Sequence, residues 1–193
     1  MGNAYLPRDQ VHAWSEDIGN ENEAHQASLQ RLLKDQKRLV KFIQENAGDL
    51  EMASGGVGVY LLGVVARMFD LAGGRLKSAT WAQVRDAEAK VGGVAGDLLP
   101  LDDGFAGRVR MVEWRAQPHI LDEALMALFD RDEDDKKEGE EELSPDESAK
   151  VFFLLWVCTE VLDGNWKPRP GFEGLDSYEY VHVEPTKRDD AEE

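Results

Sequence analysis

Cysteine is the scarcest reactive residue in this chain: Cys158 stands alone among 193 residues. One thiol closes no internal disulfide and builds no multi-thiolate zinc site. Its surroundings in "LLWVCTEV" are apolar on both sides, and a thiol buried in such company keeps a raised pKa and stays inert. No Cys–His nucleophile is expected, and no G-x-S-x-G nucleophile elbow occurs. Histidine is also scarce, at four. Basic residues are outnumbered, 22 Lys and Arg against 39 Asp and Glu, for a formal net charge of −17 and a pI of about 4.6. A field of that sign repels nucleic acid and anionic lipid, because gripping a phosphate backbone requires cations that displace counterions. Long hydrophobic runs are missing as well. "VGVYLLGVVA" and "VFFLLWVCT" fall short of the roughly 20 residues that span a bilayer. "MGNAYLPRDQ" shows no apolar signal core, and it places Leu6 where a myristoylation motif has Ser or Thr. These absences point to a cytoplasmic protein that engages neither nucleic acid nor membrane and uses no cofactor. Its expected partner is a protein with a basic or apolar surface, or a second copy of itself.

What is present is helical patterning around enough apolar residue, 42%, to build a core. Over 20–46, Leu29, Leu32, Leu33, Gln36, Leu39, Val40 and Ile43 recur at steps of three and four. The spacing predicts one long amphipathic helix, capped by Asn20 with Glu23 and long enough to offer a dimer seam. "GVGVYLLGVVARMFDLA", 56–72, is apolar nearly all round, the mark of a central bundle helix, and Gly73–Gly74 end it. Thr80 and Gln83 of "TWAQ" form a capping box opening a helix to about Val91. Asp102 or Asp103 caps a fourth helix carrying Phe105, Val109, Val112 and Ala116 on one side; Pro118 opens a fifth with Leu121, Ala124, Leu125, Leu128 and Phe129. "SPDE" is the strongest start signal: Ser144 at the cap, Pro145 at the first position, Glu147 closing the box, and a helix that stops at Gly164. Beyond it, prolines and the alternation of "SYEYVHV" suggest an irregular arm that lays Trp166, Phe172, Tyr178 and Tyr180 on the bundle.

Between the last two helices, "FDRDEDDKKEGEEEL" is similar to an EF-hand calcium loop at its start. Counting from Asp130, oxygen ligands fall at positions 1, 3, 5 and 12 as Asp130, Asp132, Asp134 and Glu141. Position 6, which calls for the freedom of glycine, is Asp135, and position 8 is Lys137. Nine acids against three bases between 130 and 142 leave −6, and blocks of like charge repel and stay solvated. A solvated acidic loop, 130–143, is the expectation, with calcium binding as an alternative.

Other polar groups offer two sites. His119 shares a helix face with Glu123, and His25 pairs with Glu21 on the first helix; facing one another, the two pairs would ligate a transition metal in the bundle core. Arg108, Arg110 and Arg115, with Trp114 among them, gather positive charge in an acidic chain, which suits anion or partner contact with an aromatic wall, or pairing with the chain's own acids. The glycines of "SGGVGVYLLG" lack the Lys-Ser/Thr of a phosphate loop and are read as close helix packing.

The sequence therefore predicts an all-α, single-domain bundle of about six helices over 20–164. An N-terminal segment, 1–19, precedes it, and an aromatic arm with an acidic tail, 165–193, follows. The expected function is a non-catalytic interaction or regulatory module, able to act as a homodimer, whose contacts are Arg108, Arg110, Trp114, Arg115, Trp166, Tyr178 and Tyr180. Its alternatives are a metal-dependent enzyme or sensor using Glu21, His25, His119 and Glu123, and the EF-hand-like calcium loop.

Overall fold

A computed structural model describes residues 3–20, 23–47, 52–129 and 143–178. Among these the chain is all-α, with eight helices and one two-residue ribbon. They are α1 (Arg8–Gly19), α2 (Glu23–Asp35), α3 (Lys37–Ala47), α4 (Met52–Ala72), α5 (Trp81–Ala95), α6 (Phe105–Arg110), α7 (Pro118–Phe129) and α8 (Pro145–Asn165), with β1 (Arg75–Leu76) pairing antiparallel to β2 (Trp166–Lys167).

α8 forms the axis. Ser144 Oγ accepts from the Glu147 N–H while Glu147 reaches back to the Ser144 N–H, so both ends of the capping box are closed. From Val151 to Leu162 every residue but Phe153 and Glu160 is buried, because α3, α4, α5 and α7 surround it. α4 is the second central helix. Its glycines are contact surfaces: a Cβ at Gly58 would stand 2.9 Å from Ile43 Cγ2 and one at Gly63 3.2 Å from Leu29 Cδ2. Ser54–Ala72 is long and apolar enough to cross a membrane by length and hydropathy, longer than the run visible in the sequence, yet half of it is buried against the bundle.

Several boundaries differ from the sequence reading. The helix expected over 20–46 is interrupted at Gln36, where the Leu39 N–H turns to the Gln36 carbonyl. The buried Gln36 amide explains the break. It donates to the Lys77 carbonyl and accepts from the Ala79 N–H, each at 3.0 Å, gripping the approach to α5. Asn20 closes α1 rather than opening α2; its N–H returns to the Glu16 carbonyl. Residues 8–19, read as part of a separate N-terminal segment, form α1 on α7 and α4. α6 stops at Arg110, short of Ala116, because Arg115 takes up the Arg110 and Val112 carbonyls. Neither Asp102 nor Asp103 caps α6: Gly104 stands at the N-cap with no side-chain cap bond, and Asp102 accepts from the Gly104 N–H just before the helix.

Past α8, Trp166 inserts between Phe69 and Phe172, with ring centroids at 5.3 and 5.1 Å, and donates to the Gly73 carbonyl. This ribbon requires the glycine turn. Gly73 and Gly74 have φ of +80° and +100°, and a side chain at Gly74 would enter the Lys167 backbone. Tyr5 and Leu175 form an antiparallel bridge that joins the two ends of the described chain.

Candidate functional site

The arginine segment folds back on itself. Arg115 is buried: Nη1 lies 3.2 Å from Asp122 Oδ1, Nη2 and Nε donate to the Arg110 and Val112 carbonyls, and the guanidinium sits 4.9 Å over the Tyr178 ring. Arg110 Nε lies 3.5 Å from the same carboxylate. Arg108 donates to the Leu98 and Pro100 carbonyls and pairs with Asp102 at 2.8 Å, an ion pair that holds the exposed Asp102 carboxyl below the usual range. Arg108 and Arg115 thus tie the 96–117 connection together by charge-assisted hydrogen bonds, and Arg110 adds an ion pair to Asp122 on α7. Tyr178 completes the knot from the arm, donating to Asp122 Oδ2 at 2.7 Å. Burial first, and then the Asp122 carboxylate accepting its proton, push the phenol up to about 12. Trp166 is buried, and Tyr180 lies outside the described residues.

The histidines are dispersed. His119 is buried with Nδ1 2.7 Å from the Leu6 carbonyl; a carbonyl only accepts, so Nδ1 carries the proton. Its neighbour Glu123 turns to His12, 3.1 Å away. His25 Nδ1 accepts from Arg67 Nε at 3.5 Å. The pairing read from the sequence, His119 with Glu123, is thus replaced by one with His12, a residue that reading did not consider. Glu21, Asp130, Asp132, Asp134 and Glu141 lie outside the described residues, and no cluster of three or more His, Cys, Asp or Glu suited to a metal occurs among those described. Cys158 is fully buried, and desolvation raises its thiol far above the ordinary range.

Two acids on α8 matter more than their sequence context suggested. Asp163 accepts from Gln117 Nε2 (2.7 Å) and Asn3 Nδ2 (3.4 Å). Burial nonetheless raises its pKa, more than those amides lower it. Glu160 Oε1 accepts from the Ala116 N–H (2.7 Å) and Trp156 Nε1 (3.2 Å), while Oε2 faces Lys90 Nζ at 2.6 Å. Lys90 stands at the same time 4.2 Å over the ring of Trp114, which also stacks on Trp156 with ring centroids 5.3 Å apart. The Trp156–Glu160 step of four residues on one helix is the only local trace of this arrangement in the sequence.

Beside this cluster a shallow groove of about 240 Å³ runs between α5 and α8, lined by Gln83, Asp86, Lys90, Glu160, Val161 and Gly164. Gln83, Asp86 and Lys90 are at helical spacing on one face of α5, and Gln83 is anchored by Asn165 Oδ1 at 2.8 Å. A second hollow of about 210 Å³ lies between Trp14, Leu71, Arg169 and Phe172. The 96–117 connection, which meets the groove residues through Ala116 and Trp114, leaves Leu99, Met111 and Trp114 exposed by 52, 80 and 36%, three of the six large hydrophobic residues exposed among those described. The groove thus presents two carboxylates, Asp86 and Glu160, and Lys90 links it to the Trp114 ring. Comparison with protein-family models, curated proteins and solved structures found no match to this chain.

Proposed function

We propose that this chain is a non-catalytic interaction module of the cytoplasm that docks a protein partner through exposed apolar side chains of the 96–117 connection, Leu99, Met111 and Trp114. The observation that carries this reading is the contrast within one short connection. Its arginines are engaged by the chain's own acids and carbonyls, while Leu99, Met111 and Trp114 are left exposed and Leu98, Phe105 and Val109 enter the core. Exposed apolar side chains suit protein contact, since covering them removes apolar area from water. The net charge of −17 disfavours nucleic acid and anionic membrane as alternatives.

A photo-crosslinking residue at position 111, introduced in the cells that express the protein, tests this against the same residue at Gln30 on the exposed side of α2. A discrete adduct at 111 and not at 30 supports the reading, and an adduct of twice the chain's mass identifies the partner as a second copy. No adduct at 111, or the same ladder at both positions, defeats it.

A further inference from the structure

We infer that the groove between α5 and α8 receives a guanidinium, so that the partner presents an arginine-bearing basic segment beside Trp114. This rests on the interaction reading above and names the partner's chemistry. The chain already stabilises a cation there. Lys90 Nζ lies 4.2 Å over the Trp114 ring and 2.6 Å from Glu160 Oε2, a combined aromatic and carboxylate site. The receptor side is rigid: Trp114 is backed by stacking on Trp156, and Glu160 is oriented by the Ala116 and Trp156 N–H groups acting on its other oxygen. Pre-organised groups of this kind lose little freedom on binding. The occupant is not rigid. Lys90 hangs on a flexible four-carbon stem with its side chain 46% exposed, so it can swing to solvent when another cation takes its place against Glu160 and Trp114.

A guanidinium suits the vacated position better than an ammonium. Its plane stacks on indole while its fork donates to carboxylates, and it is less strongly hydrated. Asp86, on the same wall of the groove, supplies a second carboxylate. With Lys90 turned away, Asp86 and Glu160 face the groove as two negative charges, within a chain whose net charge draws basic segments and repels another copy of itself. Lys90 and Glu160 line the groove, and Lys90 sits over the exposed Trp114 ring, so a segment that displaces Lys90 from Glu160 also meets that ring.

The test uses the full chain at about 0.15 M salt, which screens diffuse attraction, and a labelled seven-residue peptide alternating glycine and arginine, read by fluorescence anisotropy. Counterparts with lysine or citrulline replacing arginine serve as comparisons. The arginine peptide is expected to bind more tightly than the lysine one, and the citrulline peptide not at all. Trp114→Leu should weaken binding about fivefold or more, the scale of one cation–π contact. Asp86→Asn, at an exposed position where folding is not at stake, should weaken it too, whereas Lys90→Ala should tighten it by removing the internal competitor. Equal binding of the arginine and lysine peptides with no response to Trp114→Leu and Asp86→Asn, or no binding at all, overturns the inference. A crosslinked adduct at position 111 alongside that result would leave the interaction reading standing and sink only the guanidinium site.

Discussion

Gln117 has a φ of +45°, a conformation that costs a side-chain-bearing residue about 1–2 kcal/mol. It is held there by its own amide. Oε1 accepts from the Leu6 N–H at 2.8 Å, and Nε2 donates to the Ala4 carbonyl at 3.1 Å and to Asp163 at 2.7 Å. One residue thereby ties the N-terminal segment to α8, and the buried carboxylate of Asp163 is the far end of that tie. Burial raises the Asp163 pKa above its ordinary 3.8, which fixes the sign of a linkage. Below the unfolded value both states hold the proton and the group costs nothing. As pH rises toward the folded value the unfolded chain releases the proton first, so stability falls, and above the folded value the loss is complete. Asp163→Asn, a neutral isostere, should remove this dependence. The melting temperature of the natural chain relative to the variant should be most favourable near pH 3.5 and decline toward pH 7; a difference that is flat or rises with pH contradicts the assignment. Nothing in the sequence marks Gln117, because its partners at 4 and 6 lie more than a hundred positions away.

Among elements, local signals were legible and distant ones were not. The Thr80–Gln83 and Ser144–Glu147 boxes are present in the structure as both half-bonds, because such a box needs only residues three apart. The break at Gln36 was hidden because its cause, the backbone at 77 and 79, enters from another part of the fold. Glycine meaning is likewise decided by neighbours. Gly92, exposed inside α5 with nothing within 4 Å of an added Cβ, should be improved by alanine, Gly92→Ala gaining about 0.5–1 kcal/mol through reduced backbone freedom in the unfolded chain. Gly58, whose added Cβ meets Ile43 at 2.9 Å, should lose about 1–3 kcal/mol as Gly58→Val through overpacking of α4 on α3. Urea unfolding of the two variants decides the pair; a Gly58→Val protein as stable as the natural one would show that α3 yields freely.

For the whole molecule, charge is the dominant long-range term. At −17 the folded chain repels itself, and that repulsion reaches about 30 Å at 0.01 M salt but only about 8 Å at 0.15 M. Sodium chloride added over this range should therefore stabilise the protein, and a gain of about 1 kcal/mol would raise the melting temperature by roughly 2–4 °C for a chain of this size. A falling melting temperature would mean that cross-element pairs such as Lys90–Glu160 and Arg31–Asp70 outweigh net repulsion. Asp86 and Glu160, the carboxylates of the candidate site, belong to the same acidic excess, but their meeting along one groove is a product of α5 packing on α8.

By itself the sequence determined the all-α class, the two boxed helix starts and the acidic field, since hydrophobic period, capping and net charge depend on neighbours in the chain or on composition alone. Only the tertiary structure decided which polar groups meet: His12 rather than His119 beside Glu123, Arg115 in the interior, and Lys90 between Trp114 and Glu160. Those pairings join side chains from separate helices, and their geometry is set by how the helices pack rather than by any spacing along the chain.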